Sequence, residues 1–194
     1  SFKREVLMSN QKITLPCVIL AGGKSSRMGQ DKALLPFNQS NSLAQHMYST
    51  MSQIFENVYI STKENKFDFD ANLILDEGDV YAPTIALEAI LKRFNGHVFI
   101  VAVDMPFVSK ETITTLYQHL KNENIVIAKE SDTLHNMCGF YHTALLPTLQ
   151  KAISNEQRAL YRLLKSFQAN YIEIGESRSF INFNSPGEYQ KALQ

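Results

Sequence analysis

The sequence has no excess of either charge and no long apolar run. Lys+Arg and Asp+Glu both number 19, so the formal net charge is zero. A neutral chain is poorly suited to broad electrostatic binding of nucleic acid or of an anionic membrane. No apolar run approaches the roughly 18 residues of a membrane-spanning helix, and the N-terminal segment 1–12 has no apolar core typical of a signal peptide. These absences predict a protein that binds neither nucleic acid nor a membrane.

Cysteine is also scarce, since the chain has only Cys17 and Cys138. The two lie far apart in the sequence, apolar residues flank both, and their spacing matches no metal-binding pattern. We expect reduced thiols buried in the core, as is usual in the cytoplasm. The predicted localisation is therefore cytoplasmic.

The length and composition favour one globular domain. The chain has 194 residues, of which 44% are hydrophobic, so it can bury a sizeable core and is not a disordered segment. No repeat, low-complexity tract or linker interrupts it. We predict a single domain over 13–194, preceded by a tail at 1–12.

Short apolar runs alternate with helical periods along the chain. The runs at 17–21, 57–62, 97–104 and 124–130 predict buried strands of a parallel sheet. Three amphipathic stripes lie between them, and Ser109 is placed as the N-cap of the third. The stripes are Leu43, Met47, Met51 and Ile54; Leu87, Ile90, Leu91 and Phe94; and Ile113, Leu116, Tyr117 and Leu120. Helices near 145–154 and 158–167 and extended segments at 171–175 and 180–184 follow.

This alternation predicts an α/β fold with a doubly wound, mostly parallel sheet flanked by helices. Ligands bind at the carboxyl ends of the strands in such sheets. Two unusual features follow apolar runs and are expected at that edge: the segment "LAGGKSSRMGQDK" at 20–32, and Asp104.

The segment 20–32 has the composition of a phosphate-binding loop without either common phosphate-binding motif. Gly23, Lys24 and Ser25 resemble the end of a P-loop, but Val18 stands where that motif needs a glycine. Gly22, Gly23 and Gly29 also lack the spacing of a dinucleotide fingerprint. Glycines let backbone N–H groups approach phosphate oxygens, and Lys24, Arg27 and Lys32 could neutralise them.

Asp104 completes the chemistry that a nucleoside triphosphate needs. Mg²⁺ bridges the phosphates to one or two carboxylates rather than to a full protein cage. An aspartate directly after an apolar strand is well placed to be that ligand, and Ser109 already caps the helix that follows. The combination predicts binding of a nucleotide with Mg²⁺.

The segment Leu20 to Lys32 resembles the signature G-G-x-x-x-R-[MF]-G-x-D-K of nucleotidyltransferases. Within that group the chain is most similar to the molybdenum cofactor guanylyltransferases. The similarity continues with "LILDE" around Asp76, "VAVDMPF" around Asp104, "HNMCGFYH" at 135–142 and "FINFNSPGEY" at 180–189. It implies a Rossmann-like nucleotidyltransferase fold, with GTP and molybdopterin as substrates and Mg²⁺ as cofactor.

The resemblance also implies a role for individual residues. Leu20, Ala21 and Gly22 would recognise the base through their backbone, next to Gly23. Lys32 and Asp76 would complete the nucleotide pocket, Arg27 would face the phosphates, and Asp104 would bind Mg²⁺. Asn182 and Asn184 would lie near the pterin. Arg27, Lys32 and Asp104 are thus the expected catalytic residues, and proteins that mature molybdoenzymes are the expected partners.

The chain departs from the family pattern at one helix start, and alternatives remain open. Ala82 and Ala86 stand where the pattern G-P-L-x-G has glycines, so the shape of the pocket there is not predicted. A cytidylyltransferase for the same pterin is the nearest alternative, although L-A-G-G at 20–23 favours GTP. A sugar-phosphate nucleotidyltransferase and a non-catalytic nucleotide-binding maturation partner are the other two.

Overall fold

The fold is built on one seven-stranded sheet, seen in a computed structural model that describes residues 10–22, 31–78, 80–175, 178–181 and 186–193. The strand order is β3-β2-β1-β4-β6-β5-β7. The strands are β1 (Cys17–Leu20), β2 (Val58–Thr62), β3 (Asn72–Leu75), β4 (His97–Ala102), β5 (Val126–Glu130), β6 (Thr133–His142) and β7 (Asn170–Glu173). Strands β3, β2, β1 and β4 are mutually parallel, as are β5 and β7, whereas β6 is antiparallel to both of its neighbours.

Helices connect the strands. They are α1 (Leu43–Ser52), α2 (Pro83–Leu91), α3 (Lys110–Tyr117), α4 (Leu146–Ser154), α5 (Leu160–Ser166) and α6 (Pro186–Leu193). Shorter 3₁₀ turns cover Lys32–Leu34, Thr143–Leu145 and Arg178–Phe180. Among the residues described, no helix is long and apolar enough to cross a membrane.

The core lies on both faces of the sheet because the strand side chains alternate between them. Phe99 and Val101 of β4 belong to one hydrophobic cluster, which also contains buried residues of α1, α3 and α6. Val98 and Ile100 of the same strand belong to a second cluster, with buried residues of α2, α4 and α5. Burial on both faces explains why the central strands are continuous apolar runs.

The predicted α/β architecture is confirmed. Each of the four strands expected from an apolar run forms, and the Ser109 Oγ accepts the Thr112 N–H at 3.1 Å as the N-cap of α3. The edge strand β3 and the antiparallel strand β6 were not anticipated. The extended segment expected at 180–184 is wrong at its start, because Phe180 closes a 3₁₀ turn whose Ser179 is hydrogen-bonded to Thr112.

Both cysteines lie in the core as free thiols, as expected from the sequence. Burial raises the pKa of Cys138 to about 12. Burial and the neighbouring Cys138 raise the pKa of Cys17 well above its usual value. Because the thiolate is the reactive form, both thiols are inert in the folded protein.

We therefore expect neither Cys17 nor Cys138 to be alkylated by iodoacetamide in the native protein at pH 8. A pKa of about 12 leaves about one thiol in ten thousand ionised at that pH, and burial blocks access. Mass spectrometry of protein alkylated in buffer and in 8 M urea (about the concentration that unfolds most domains) checks this. Rapid native alkylation of either cysteine would contradict its placement in the core.

Candidate active site

Four parallel strands bring the functional side chains to one edge of the sheet. Because β3, β2, β1 and β4 are neighbours and run the same way, their carboxyl ends lie side by side. Asp76 follows β3 directly, Lys63 follows β2, and Gly22 and Asp104 each lie two residues after β1 and β4. These residues thus form a row along the ligand-binding edge of the fold, in the order Asp76, Lys63, Gly22 and Asp104.

Asp76 is a nearly buried carboxylate held by a lysine. Its side chain is 5% exposed, and the Nζ of Lys63 donates to its Oδ2 at 2.7 Å. The Asp76 backbone N–H donates to the Thr62 carbonyl at 3.3 Å, which fixes the end of β3 against β2. The ammonium of Lys63 also lies 5.1 Å from the centre of the Tyr81 ring. A buried carboxylate needs such a partner, so this pair is a structured part of the site.

A cleft of about 290 Å³ opens beside this pair. Its walls are mostly apolar, and the Asp76 carboxylate and the Lys63 ammonium are the charged groups among its described lining residues. This combination suits a flat, largely apolar ring with a polar edge. The lining residues are Leu20, Gly22, Lys63, Asp76, Tyr81, Ala82, Pro83, Ala86, Ala102 and Met137.

Some backbone groups at the end of β1 already form hydrogen bonds within the protein. The Ala21 N–H donates to the Ser61 carbonyl at 2.9 Å, and the Leu20 carbonyl accepts the Val103 N–H at 3.0 Å. Gly22 forms no hydrogen bond to another described residue. A Cβ at Gly22 would lie 4.0 Å from Oδ1 of Asp76, so a side chain there would narrow the cleft beside the carboxylate.

Lys32 and Asp104 form an ion pair at the β4 end of the row. The Nζ of Lys32 lies 3.1 Å from Oδ2 of Asp104, and the two side chains are 15% and 19% exposed. Lys32 is the first residue of the 3₁₀ turn Lys32–Leu34, and Asp31 caps that turn by accepting the Ala33 N–H at 3.0 Å. The structure thus brings together the lysine and the aspartate that the sequence placed 72 positions apart.

The residues present fit a Mg²⁺ ion that is completed by substrate. Within the described ranges no three His, Cys, Asp or Glu side chains cluster as a metal site. Mg²⁺ with a nucleotide needs only one or two carboxylates, because phosphates and water supply its other ligands. Asp104 offers a hard oxygen donor at the sheet edge, and only its Oδ2 has a partner among the described residues.

Comparison with known proteins identifies the family. The model of the MobA-like NTP transferase domain matches residues 17–171. This chain belongs to that family.

Curated relatives agree with this family assignment, and a solved structure shares the fold. The molybdenum cofactor guanylyltransferase of Campylobacter jejuni subsp. doylei is 40% identical over 181 residues, covering 91% of this chain and 94% of that protein. The protein of the same name from Helicobacter pylori strain G27 is 32% identical over 187 residues, covering 93% and 92%. The crystal structure of molybdopterin-guanine dinucleotide biosynthesis protein A from Archaeoglobus fulgidus shares the fold, with a TM-score of 0.77 at 21% identity over 92% of this chain and 97% of that one.

As a MobA-like NTP transferase, the protein is a nucleotidyltransferase, and the row from Asp76 to Asp104 is its candidate active site. Leu20, Gly22 and Asp76 line the cleft. Lys32 and Asp104 form an ion pair, and neither is among the lining residues. Four other expected site residues, Gly23, Arg27, Asn182 and Asn184, lie outside the described residues. Their roles stay predictions.

The sequence interpretation missed several residues of this MobA-like site. Lys63 contacts Asp76, and Lys66 contacts Asp31 and the Ala21 carbonyl. Their signal was their place just after the carboxyl end of a predicted strand, where polar side chains reach the ligand edge. Ala82 and Ala86 line the cleft, so both departures from the family pattern add a methyl group at the pocket wall.

Proposed function

We propose that this protein transfers GMP from GTP to molybdopterin, releasing pyrophosphate and forming the guanine dinucleotide form of the cofactor. One observation carries the proposal: the apolar cleft with its buried Asp76 and the Lys32–Asp104 pair share one sheet edge, in a chain 40% identical to a named guanylyltransferase. Proteins that mature molybdoenzymes remain expected partners.

Guanine recognition is assigned to the cleft. Guanine presents N–H donors on its polar edge, which complement a carboxylate acceptor. Asp76 supplies that acceptor, and the hydrogen bond from Lys63 holds its carboxylate in place. The backbone of Leu20, Ala21 and Gly22 would contribute the other contacts to the base, and the peptide groups of Gly22, which have no partner among the described residues, lie beside Asp76.

The reaction joins a phosphate oxygen of molybdopterin to the α-phosphorus of GTP. A new P–O bond forms as the bond between the α-phosphorus and its bridging oxygen breaks, and pyrophosphate leaves with the electron pair. No protein nucleophile is required, so the protein contributes alignment and charge stabilisation. Lys32 donates to the phosphates, and Arg27 is expected to do the same. Asp104 would hold Mg²⁺, which when bound neutralises charge on the leaving group.

The test offers GTP, CTP, ATP and UTP separately, each with molybdenum-loaded molybdopterin and Mg²⁺. Pyrophosphate release gives the rate, and mass spectrometry identifies the dinucleotide. A guanine dinucleotide supports the proposal, and a cytosine dinucleotide would assign the protein to the cytidylyltransferases instead. Binding of nucleotide without pyrophosphate release would identify a non-catalytic partner.

We expect kcat/KM for GTP to exceed that for CTP by about a hundredfold. Cytosine would leave buried hydrogen-bonding groups at the base edge unpaired, which costs about 3 kcal/mol. Competition between the two nucleotides in one reaction measures the ratio directly. Equal turnover with both would contradict base recognition in this cleft.

A further inference from the structure

We propose that Lys66 is a positioning residue that ties together the two ends of the segment 21–31 and so sets Lys32 against Asp104. The ammonium of Lys66 donates to the Ala21 carbonyl at 2.8 Å. It also forms an ion pair with Oδ2 of Asp31. One side chain from the loop after β2 thus contacts both the residue that leaves β1 and the residue that precedes Lys32.

The contact to Asp31 continues to the catalytic pair through the 3₁₀ turn. Oδ2 of Asp31 binds Lys66, while Oδ1 accepts the Ala33 N–H at 3.0 Å and caps the turn. Contacts on both oxygens restrain the Asp31 carboxylate, and through it the start of the turn at Lys32. Its Nζ then lies 3.1 Å from Oδ2 of Asp104.

The contacts of Lys66 indicate that it does not bind substrate itself. Its side chain is 15% exposed, and its ammonium is engaged by a carbonyl and a carboxylate of the protein. Asp31 is an acidic residue beside the expected triphosphate, and the Lys66 charge offsets the repulsion that Asp31 would otherwise exert. Removing the lysine would leave a partly buried carboxylate and a backbone carbonyl without their partner, which is the costly case.

Two variants of Lys66 and one matched control isolate the effect. Lys66→Met removes both contacts at similar length, and Lys66→Arg keeps a cation that can donate to both acceptors. The control is Lys92→Met, which breaks a helical ion pair with Glu88 at 2.9 Å; Lys92 is 54% exposed, and neither residue lines the cleft. Lys66→Gln retains a donor for the Ala21 carbonyl without the charge and serves if Lys66→Met folds poorly.

The first measurement is amide hydrogen exchange at Ala33, whose N–H is capped by Asp31. We expect exchange about tenfold faster in Lys66→Met and less than about twofold changed in Lys66→Arg and in Lys92→Met, because only the first loses the contact that holds the Asp31 carboxylate in its capping position. An unchanged rate at Ala33 in Lys66→Met would overturn the positioning role. The measurement needs no substrate.

The second measurement is a double-mutant cycle with Lys32→Met, and this part rests on the proposed function. Lys66→Met should lower turnover about tenfold in the wild-type background and less than about twofold in the Lys32→Met background, because Lys66 acts through Lys32. Effects that multiply independently would overturn the proposal. Near-normal turnover in Lys66→Arg supports it, and a full loss in Lys66→Arg would overturn it.

The two measurements also separate this inference from the proposed function. If the wild-type protein releases no pyrophosphate with GTP, the proposed function is wrong, while exchange at Ala33 still decides the role of Lys66. If the wild-type protein is active but Lys66→Met changes neither exchange nor turnover, only the positioning role is wrong.

Discussion

Replacing Asp104 by asparagine is expected to lower turnover with GTP by at least about a hundredfold, the usual cost of losing one electrostatic stabiliser of the transition state. The change keeps the size of the side chain and removes its charge. Asp104 is the carboxylate at the β4 end of the site and lies 3.1 Å from Lys32. A neutral amide both binds Mg²⁺ weakly and holds the lysine less firmly, so alignment and charge stabilisation are reduced together.

A magnesium titration separates these two roles of Asp104. If the carboxylate holds the metal, Asp104→Asn should raise the Mg²⁺ concentration needed for half-maximal rate by about tenfold or more. If it only anchors Lys32, that concentration should stay the same while the maximal rate falls. The matched control is Asp70→Asn, the same change at an exposed position outside the site. Normal turnover of Asp104→Asn at ordinary Mg²⁺ would place the metal site elsewhere.

The fold should tolerate Asp104→Asn, which keeps the kinetic result interpretable. An asparagine oxygen can still accept a hydrogen bond from Lys32. Ion pairs that are partly exposed to solvent contribute little to stability. We therefore expect thermal unfolding within a few degrees of the wild type, or about 1 kcal/mol. Equal loss of stability and activity would show that Asp104 acts on folding instead.

Much of the architecture could be predicted because buried positions are apolar, and their spacing in the sequence differs between strands and helices. Strands β1 and β4 are covered on both faces, which selects unbroken apolar runs such as that from Val98 to Val101. Helix α1 buries Leu43, Met47 and Met51 on one side, which gives a helical period. Even the Ser109 cap was predictable, because capping is a local interaction.

Strands β3 and β6 were not predicted because their apolar patterns are weaker. Strand β3 is a four-residue edge strand in which Leu75 is 55% exposed, so it has neither a buried run nor a clear alternation. Strand β6 covers "TLHNMCGFYH", in which polar and small residues interrupt the apolar ones. Its exposed start extends beyond the paired part of β4, so the segment lacks the uniform burial of a central strand.

The sequence could predict which residues follow the strand ends of the site, but not which lysine contacts which carboxylate. Asp104 follows an apolar run, so its place at the ligand edge followed from the fold. Asp76 follows the unanticipated strand β3 and was expected in the site only from the family resemblance. The partners Lys63 and Lys66 lie in an irregular loop, and which carboxylate each contacts depends on the packing of β2 between β1 and β3. The pairing of each lysine with its carboxylate is a tertiary contact, so the periodicity of the sequence does not predict it.

Replacing Gly139 by alanine is expected to destabilise the folded protein by about 3 kcal/mol, the upper part of the range for overpacking a core. Gly139 lies in β6 between Ile100 of β4 and Ile127 of β5. A Cβ there would come within 2.5 Å of the Val126 carbonyl oxygen and 2.7 Å of Cδ1 of Ile127. The side chain of Ile127 could move, but the carbonyl belongs to the strand backbone and could shift only by disturbing the sheet.

The close approach at Gly139 lies beside an irregularity of the sheet. The pairing of β5 with β6 shifts between Ile127, the partner of Gly139, and Ala128. For a chain of this size, about 3 kcal/mol corresponds to a fall in Tm of about 10 °C, which calorimetry would resolve. Gly175→Ala is the matched control, because a Cβ there meets nothing within 4 Å among the described residues, and its stability should change by less than about 0.5 kcal/mol. If Gly139→Ala were as stable as that control, β5 and β6 would have to be farther apart at this position than the structure places them.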